Sequence, residues 1–510
     1  MREPGQCSFR VDDKYTGIFN TTLTAIFYNT DVGTEQAPPS DLIIPISSRH
    51  GANNSISRFS LPQENATNTI SLPRNIRRAV FSVSANGQAN EEFWWSNVLE
   101  SDVDTFNATA GELPGLSPFR EVQVLIDGQL AGVEWPFPVI FTGGVVPSLH
   151  RPIVGIHAFD LREHEIDISP FLPLLCDGRE HTFTIRVAGL KDTGSSTSAT
   201  LTESVNESWY VTGKLFLWLD DDPSSITTGD APTINLTPPT IAVTRSVTAT
   251  SNGTNETLAY TTSVRRTLEI STLNLKTQHS SPFSLSPVTW TQSLTYTNKG
   301  AVTAFGFTQV NDLHIAGNDA ALAIAAPGDD SINDNKPLGP LPSHTGHHYR
   351  TAYTYLLFSN STYAVSPQGN LSISAFLRQG KDVSVAGASV FPSGLEAFAS
   401  SSSPLYSGGG GGSDITGLVP AGRVQTVKEG TAEFRQTGDG KQSSGWGDAR
   451  QMFSFSVDGG KELYYRRVGA VNGTLVEDLR RVEGRVVEGG VESGGDGGKG
   501  AADVYAMAYA

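Results

Sequence analysis

The stretch NGQANEEFWWSN, residues 86–97, sets two adjacent carboxylates, Glu91 and Glu92, against three aromatics, Phe93, Trp94 and Trp95. A carboxylate held against an indole is partly desolvated, which favours its protonated form and brings it toward the range useful for proton transfer. Flat aromatic faces are a good platform for the apolar side of a sugar ring, so the pairing fits carbohydrate chemistry. In an extended segment neighbouring side chains point to opposite faces, and at most one of the two glutamates would then enter a cleft. The competing reading is that Phe93 and Trp95 fill a core while the glutamates face solvent. The stretch alone leaves both open.

Other chemistries find little support. There is no G-x-S-x-G elbow and no H-E-x-x-H, and neither Cys7 nor Cys176 has the local pattern of a nucleophile. The two cysteines permit one disulfide but no metal cluster of the C-x-x-C kind. HTGHHY supplies His344, His347 and His348 without a carboxylate or Cys at matching spacing, and reads as a solvated loop. DDSINDN, 329–335, lacks the Gly at position six and the late Glu of a calcium loop, and reads as a polar turn. No metal or cofactor is expected. The glycines at 408–412 are not followed by the Lys-Ser/Thr of a phosphate cradle. In FREVQVLIDG, Arg120 and Glu121 read as an ion pair on a rim and IDG as a hairpin turn. His157, Asp160, His164 and Asp167 in GIHAFDLREHEID are explained equally well by loop or strand-edge packing as by a cleft.

The elements that must position these groups are strands. VQVLID alternates Val122, Val124 and Ile126 with Gln123, Leu125 and Asp127, and TFTIRV turns Phe183, Ile185 and Val187 away from Thr184 and Arg186. WTQSLTYT sets Trp290, Leu294 and Tyr296 opposite Thr291, Ser293 and Thr295, and MFSFSVDGGKELYY reads as a hairpin turning at 458–460. The best helix start is Ser169 before Pro170 in DISPFLPLLCDG, stopped by Gly178. One short helix among strands predicts an all-β fold built of sandwiches. Pro-rich 221–240 reads as a linker between a half rich in Trp, Phe and Pro and a half rich in Ser, Thr and Gly. Residues 400–414, SSSSPLYSGGGGGSD, and the tail 486–510 are too poor in apolar groups to offset their ordering entropy and read as mobile. No internal repeat of 20 to 50 residues is found.

A chain of 510 residues exceeds what one core usually organises, so two or three domains are expected. The formal charge of −16 argues against nucleic acid or an anionic membrane surface as partner, since both call for clustered Lys and Arg. No apolar run approaches the roughly 20 residues of a membrane helix, and no membrane anchor is expected. The first residues show no apolar signal core. Yet N-x-Ser/Thr acceptors stand at Asn20, Asn53, Asn65, Asn107, Asn206, Asn235, Asn252, Asn255, Asn360, Asn370 and Asn472, dense for a protein outside the secretory pathway.

Residues 113–190 change the weight of the opening stretch. EEFWWSN, FREVQVLIDG, WPFPVIFTGG and DISPFLPLLCDG follow one another in the order found in the eukaryotic peptide-N-glycosidase A family, which the chain resembles from about residue 12 to 220 and more weakly beyond. That family removes N-linked glycans from glycopeptides and is similar to the bacterial peptide-N-glycosidases of the F type, two adjacent jelly rolls with the site in the cleft between them. The resemblance implies tandem jelly rolls, the first only partial, with its end in 1–60 and the second with the cleft residues in 61–220. A further β domain at 241–485 follows the linker. It also implies hydrolysis of the GlcNAc–Asn amide, N-glycosylated peptides or proteins as partners, and an extracellular, vacuolar or lysosomal setting.

By the same resemblance Glu92, followed by Phe93, matches the Glu-aromatic pair that contacts the sugar beside the scissile amide, with Glu91 one register away. Arg151 in SLHRPIVG matches the arginine near the cleft, as oxyanion or acyl-side donor. His150 stands where the family pattern frequently has Trp, a departure at one expected sugar contact, and Trp94 or Trp95 would form a stacking wall. The family's catalytic Asp, in a Trp/Phe-Asp-Arg motif, lies ahead of the first residue here, and Asp12 and Asp13 fall near a further acidic position. The alternative is a glycan-binding jelly-roll protein with impaired catalysis.

Overall fold

The structure, a computed structural model, describes residues 39–47, 57–141, 143–150, 163–194, 197–278, 283–325, 348–387, 422–457, 461–482 and 484–490. It is all-β, as the period of two requires, with helix confined to short turns. Two five-stranded antiparallel sheets build the N-terminal half. One holds β1 (Leu42–Pro45), β2 (Phe59–Leu61), β4 (Ile76–Gly87), β7 (His164–Asp167) and β10 (Trp209–Leu219). The other holds β3 (Thr67–Ser71), β5 (Glu121–Ile126), β6 (Gln129–Glu134), β8 (Glu180–Asp192) and β9 (Ala199–Thr202). Inward residues of both meet in the core, where the Phe81 and Phe183 rings stack at 6.3 Å and Val122, Val124 and Ile126 are buried.

The rest of the chain forms one sheet, fourteen-stranded among the described residues. Its first strands are β11 (Ile226–Thr228), β12 (Thr233–Leu236), β13 (Thr240–Ala249), β14 (Asn255–Thr272) and β15 (Leu275–Gln278). A meander of long strands follows: β16 (Phe283–Thr303), β17 (Thr308–Ala325), β18 (His348–Val365), β19 (Leu371–Gly387) and β20 (Gly422–Gln436). β21 (Ser443–Val457), β22 (Lys461–Val471), β23 (Thr474–Val482) and β24 (Arg485–Gly490) complete it. Trp290, Leu294 and Tyr296 lie on its buried face, as the alternation of WTQSLTYT predicts, and join the sandwich core in one apolar cluster. The sheet packs along the side where β6 and β7 end the two smaller sheets: Gln292 on β16 bonds both backbone groups of Val133 on β6, and His164 on β7 reaches Asp319 on β17. Two edges that would otherwise present unpaired backbone are thereby covered.

Several expectations are corrected. The described part of 1–60 does not form a sheet of its own; β1 and β2 pair with β10 of the same sandwich. The stretch 221–240 is no bare linker, since β11 pairs with β15 and β12 with β14. Beyond it, where a further β domain was expected, the strands belong to a single broad sheet. Residues 485–490, at the start of the supposed tail, pair with β23. Near Ser169 a 3-10 turn, Ser169–Phe171, runs into one α-helical turn, α1 (Leu172–Leu175). The Ser169 side chain does not cap it but exchanges hydrogen bonds with the backbone of Ala79, because the buried neighbour competes for the hydroxyl. β21 and β22 pair as the hairpin predicts. The 458–460 turn, the glycine-rich 400–414 stretch, DDSINDN, His344, His347 and the side chain of His348 lie outside the described residues, as do Cys7, Asp12, Asp13, His157 and Asp160.

Candidate active site

The acid-aromatic stretch sits in the connection from β4 to β5, and its backbone is helical where an extended segment was expected. Two 3-10 turns, Ala89–Glu91 and Trp94–Ser96, follow Gly87. The turn folds back over that glycine so closely that a Cβ there would overlap the Glu91 carbonyl oxygen. Backbone bonds from Gln88 and Asn90 to the carbonyls of Ser208 and Glu207 tie it to the segment entering β10.

Burial separates the two glutamates. Glu91 is fully buried and saturated: Arg120 donates to it from Nε at 2.6 Å and Nη2 at 2.9 Å, the Trp209 indole from Nε1 at 2.7 Å and the Asn206 amide at 3.0 Å. Arg120, itself fully buried, spends Nη1 on the carbonyls of Leu116, Ser117 and Phe119. The pair is thus a closed network with every lone pair matched, the condition under which a buried ion pair is tolerated. Glu91 has no capacity left for a sugar. Glu92, one position on, is half-buried, and its side chain has no hydrogen bond among the described residues.

The aromatics divide in the same way. Trp94 and Trp95 are 2 % and 1 % exposed, Trp94 tilted on Trp209 and Trp95 in the core, with Asn298 of β16 donating to its carbonyl at 2.9 Å. Both are corrected from sugar wall to core, since the 3-10 backbone turns them inward. Phe93 keeps a part-exposed face, its ring edge-to-face with Trp95 at 5.4 Å. His150 is also corrected: it is fully buried against Gly430 of β20, leaves no face for a sugar, and burial together with Lys428 holds its imidazole well below the usual protonation range. Arg151 lies outside the described residues. Arg120 and Glu121 are not a rim pair. They face apart, Arg120 to Glu91 and Glu121 to Arg266 and the Trp135 indole, because adjacent strand residues alternate faces.

A second polar constellation escaped the sequence reading. Between the sandwich and the large sheet lies a cavity of about 80 Å³, room for a few waters, lined among others by Glu134, Glu163, His164, Asp319, Tyr353 and Lys381. Burial and the nearby Glu163 push the Glu134 carboxyl up to about 8; burial pushes Asp319 up to about 7 and brings the Lys381 amine down to about 8. Glu134 Oε2 is buried with no hydrogen-bond partner among the described residues. Only the position of Glu134, directly before WPFPVIF, hinted at this; Asp319, Tyr353 and Lys381 come from strands distant in sequence. The constellation is separate from the acid-aromatic turn. Asn298 holds the Trp95 carbonyl and Gln292 holds Asp319 at 3.1 Å, six positions apart on one strand, or about 20 Å.

Comparison with known proteins bears on the choice between them. Residues 5–234 match the family model described as peptide N-acetyl-β-D-glucosaminyl asparaginase amidase A, and residues 259–357 match that of the PNGase A C-terminal domain. The peptide-N4-(N-acetyl-β-glucosaminyl)asparagine amidase A of Prunus dulcis is 36% identical over 224 residues, 41% of this chain and 36% of that protein. The match thus spans about a third of the length of that relative. No solved structure matches the chain significantly. With both models falling in order along it and together covering more than half of its length, the chain belongs to the peptide-N-glycosidase A family.

Proposed function

We propose that the chain is a glycoamidase that hydrolyses the amide between GlcNAc and Asn in N-linked glycopeptides. The observation that carries this is the family match over residues 5–234, the segment that contains the acid-aromatic turn. Water adds to the Asn side-chain carbonyl, the C–N bond breaks, and the products are Asp and a glycosylamine. The reaction calls for a base on the water, a donor to the developing oxyanion, and groups that hold the sugar. Glu92 is the sugar-orienting acid and Phe93 the platform beside it. Of the five acid and aromatic residues 91–95 these two keep accessible surface, while Glu91, Arg120 and Trp209 lock the backbone beneath them, and a rigid support is what such positioning requires. Arg151 is the acyl-side donor. The dense N-x-Ser/Thr acceptors support a setting in the secretory pathway, where such substrates occur.

The test is mass spectrometry of an N-glycopeptide incubated with the purified chain, scored for conversion of Asn to Asp. Conversion by the wild-type chain is expected. In Glu92→Gln, loss of a charge-assisted hydrogen bond worth about 1.5–3 kcal/mol lowers kcat/KM by about ten- to a hundredfold. Full activity in that variant removes Glu92 from the mechanism, and glycopeptide binding without conversion by the wild-type chain replaces hydrolysis by recognition alone.

A further inference from the structure

The outer face of the large sheet is polar over most of its width, with Asp312, His314, Thr354, Arg378 and Thr431 at the surface near its middle. Within it stands a small apolar island. Leu356 and Phe358 on β18 and Phe376 on β19 are 42 %, 37 % and 37 % exposed, and the two phenylalanine rings lie 6.0 Å apart. Large apolar groups are normally kept off an exposed sheet face, and a group of three with ring contact calls for an occupant.

One acceptor asparagine is built into the island. Asn360, in the sequence Phe358-Ser359-Asn360-Ser361-Thr362, is exposed on β18, on the same face as Phe358 because two positions separate them. Its direct cross-strand partner on β19 is Phe376, and on its other side it pairs with Val310 of β17. Directly opposed side chains on one face sit about 4.5–5.5 Å apart at Cβ. A sugar attached to the Asn360 amide nitrogen would therefore leave the sheet between two phenylalanine rings, whose faces suit the C–H side of a pyranose.

We propose that Asn360 carries an N-linked glycan whose first GlcNAc lies over Phe358 and Phe376 and shields this patch. The patch is too small, and too closely ringed by polar side chains, for a protein partner, whereas one or two sugar rings match it in size and amphipathic character. Attachment occurs on the nascent chain, before β18 pairs. The Asn360 amide nitrogen attacks C1 of the reducing GlcNAc of a polyprenyl-diphosphate-linked oligosaccharide. The N–C1 bond forms, the C1–O bond breaks, the amide loses a proton and the lipid diphosphate departs. Of three other acceptors on or beside the first strands of this sheet, Asn235 faces Glu269 across the strands, Asn255 donates its amide to the Thr105 carbonyl and Asn252 sits in a polar turn, whereas Asn360 stands directly beside a phenylalanine on each of two strands.

The experiment expresses the full chain in a eukaryotic secretory system and reads Asn360 occupancy by intact glycopeptide mass spectrometry. Binding of a hydrophobic dye and the melting temperature are compared for the wild type, Asn360→Gln and Thr362→Ala, the last keeping Asn360 but removing the acceptor motif. We expect Asn360 to be occupied in most copies. Both variants should bind more dye and melt about 2–4 °C lower, and both changes should vanish when Phe358 and Phe376 are replaced by Ser. An unmodified Asn360 overturns the proposal. An occupied Asn360 whose loss leaves dye binding and melting unchanged overturns the shielding.

Discussion

Glu91→Gln is expected to unfold the protein far more easily than Glu92→Gln, although the two residues are neighbours. Glu91 accepts four hydrogen bonds, two of them from Arg120, with both side chains at zero exposure. Removing the carboxylate charge leaves the guanidinium buried without its counter-charge, which costs about 3–5 kcal/mol. The new amide also turns an NH2 toward a donor that had been accepted, so at least one buried N–H loses its partner, at about 1–3 kcal/mol. These terms overlap, and a net loss on the order of 4 kcal/mol is a large part of the 5–15 kcal/mol that holds an ordinary domain folded. Glu92 has no such network, and its replacement should stay within about 0.5 kcal/mol of the wild type, as surface changes do. Urea unfolding followed by tryptophan fluorescence reads both, since Trp94, Trp95 and Trp209 surround the network. Glu91→Met with Arg120→Met should be less destabilised than Glu91→Gln, because the uncompensated charge is gone. Recovery will be partial, because the carbonyls of Leu116, Ser117 and Phe119 lose their shared donor. Equal stability of the Glu91→Gln and Glu92→Gln variants would refute the assignment of Glu91 to structure.

Two further outcomes follow from the packing. Glu134 and Asp319 keep their protons in the folded chain to about pH 8 and 7 against ordinary values of 4.5 and 3.8, so the stability they contribute is full in acid and falls as pH rises through that window. Glu134→Gln should flatten the fall between pH 5 and 8, with a gain on the order of 4 kcal/mol by pH 8; Lys381, lowered to about 8, adds no slope below that pH. Parallel urea curves for wild type and variant across this range would count against the buried protonated carboxyl. Gly213→Ala would place a Cβ 2.7 Å from Phe81 Cζ and 2.9 Å from Ile185 Cδ1, between the two sheets of the sandwich, and should cost about 1–3 kcal/mol by chemical denaturation, whereas no loss would mean the core there is loosely packed.

The strands were legible from residues 122–126, 183–187 and 290–296 because the pleat is local: alternate side chains must part to two faces, and apolar alternation follows wherever one face is buried. The ordered motifs, from EEFWWSN to DISPFLPLLCDG, likewise carried the family without any coordinates. What could not be read was which of two adjacent glutamates is structural. That was decided by Arg120, 29 positions on, and Trp209, 118 positions on, which the fold brings to Glu91 and not to Glu92. The joining of β1 and β2 to β10, and of the 221–240 stretch to the large sheet, rests on hydrogen bonds to strands far along the chain, which composition does not encode. The cavity acids were hidden for the same reason. Glu134, Asp319 and Lys381 stand in ordinary strand sequence, and only the closing of one sheet over the edges of two others removes them from water and shifts their protons.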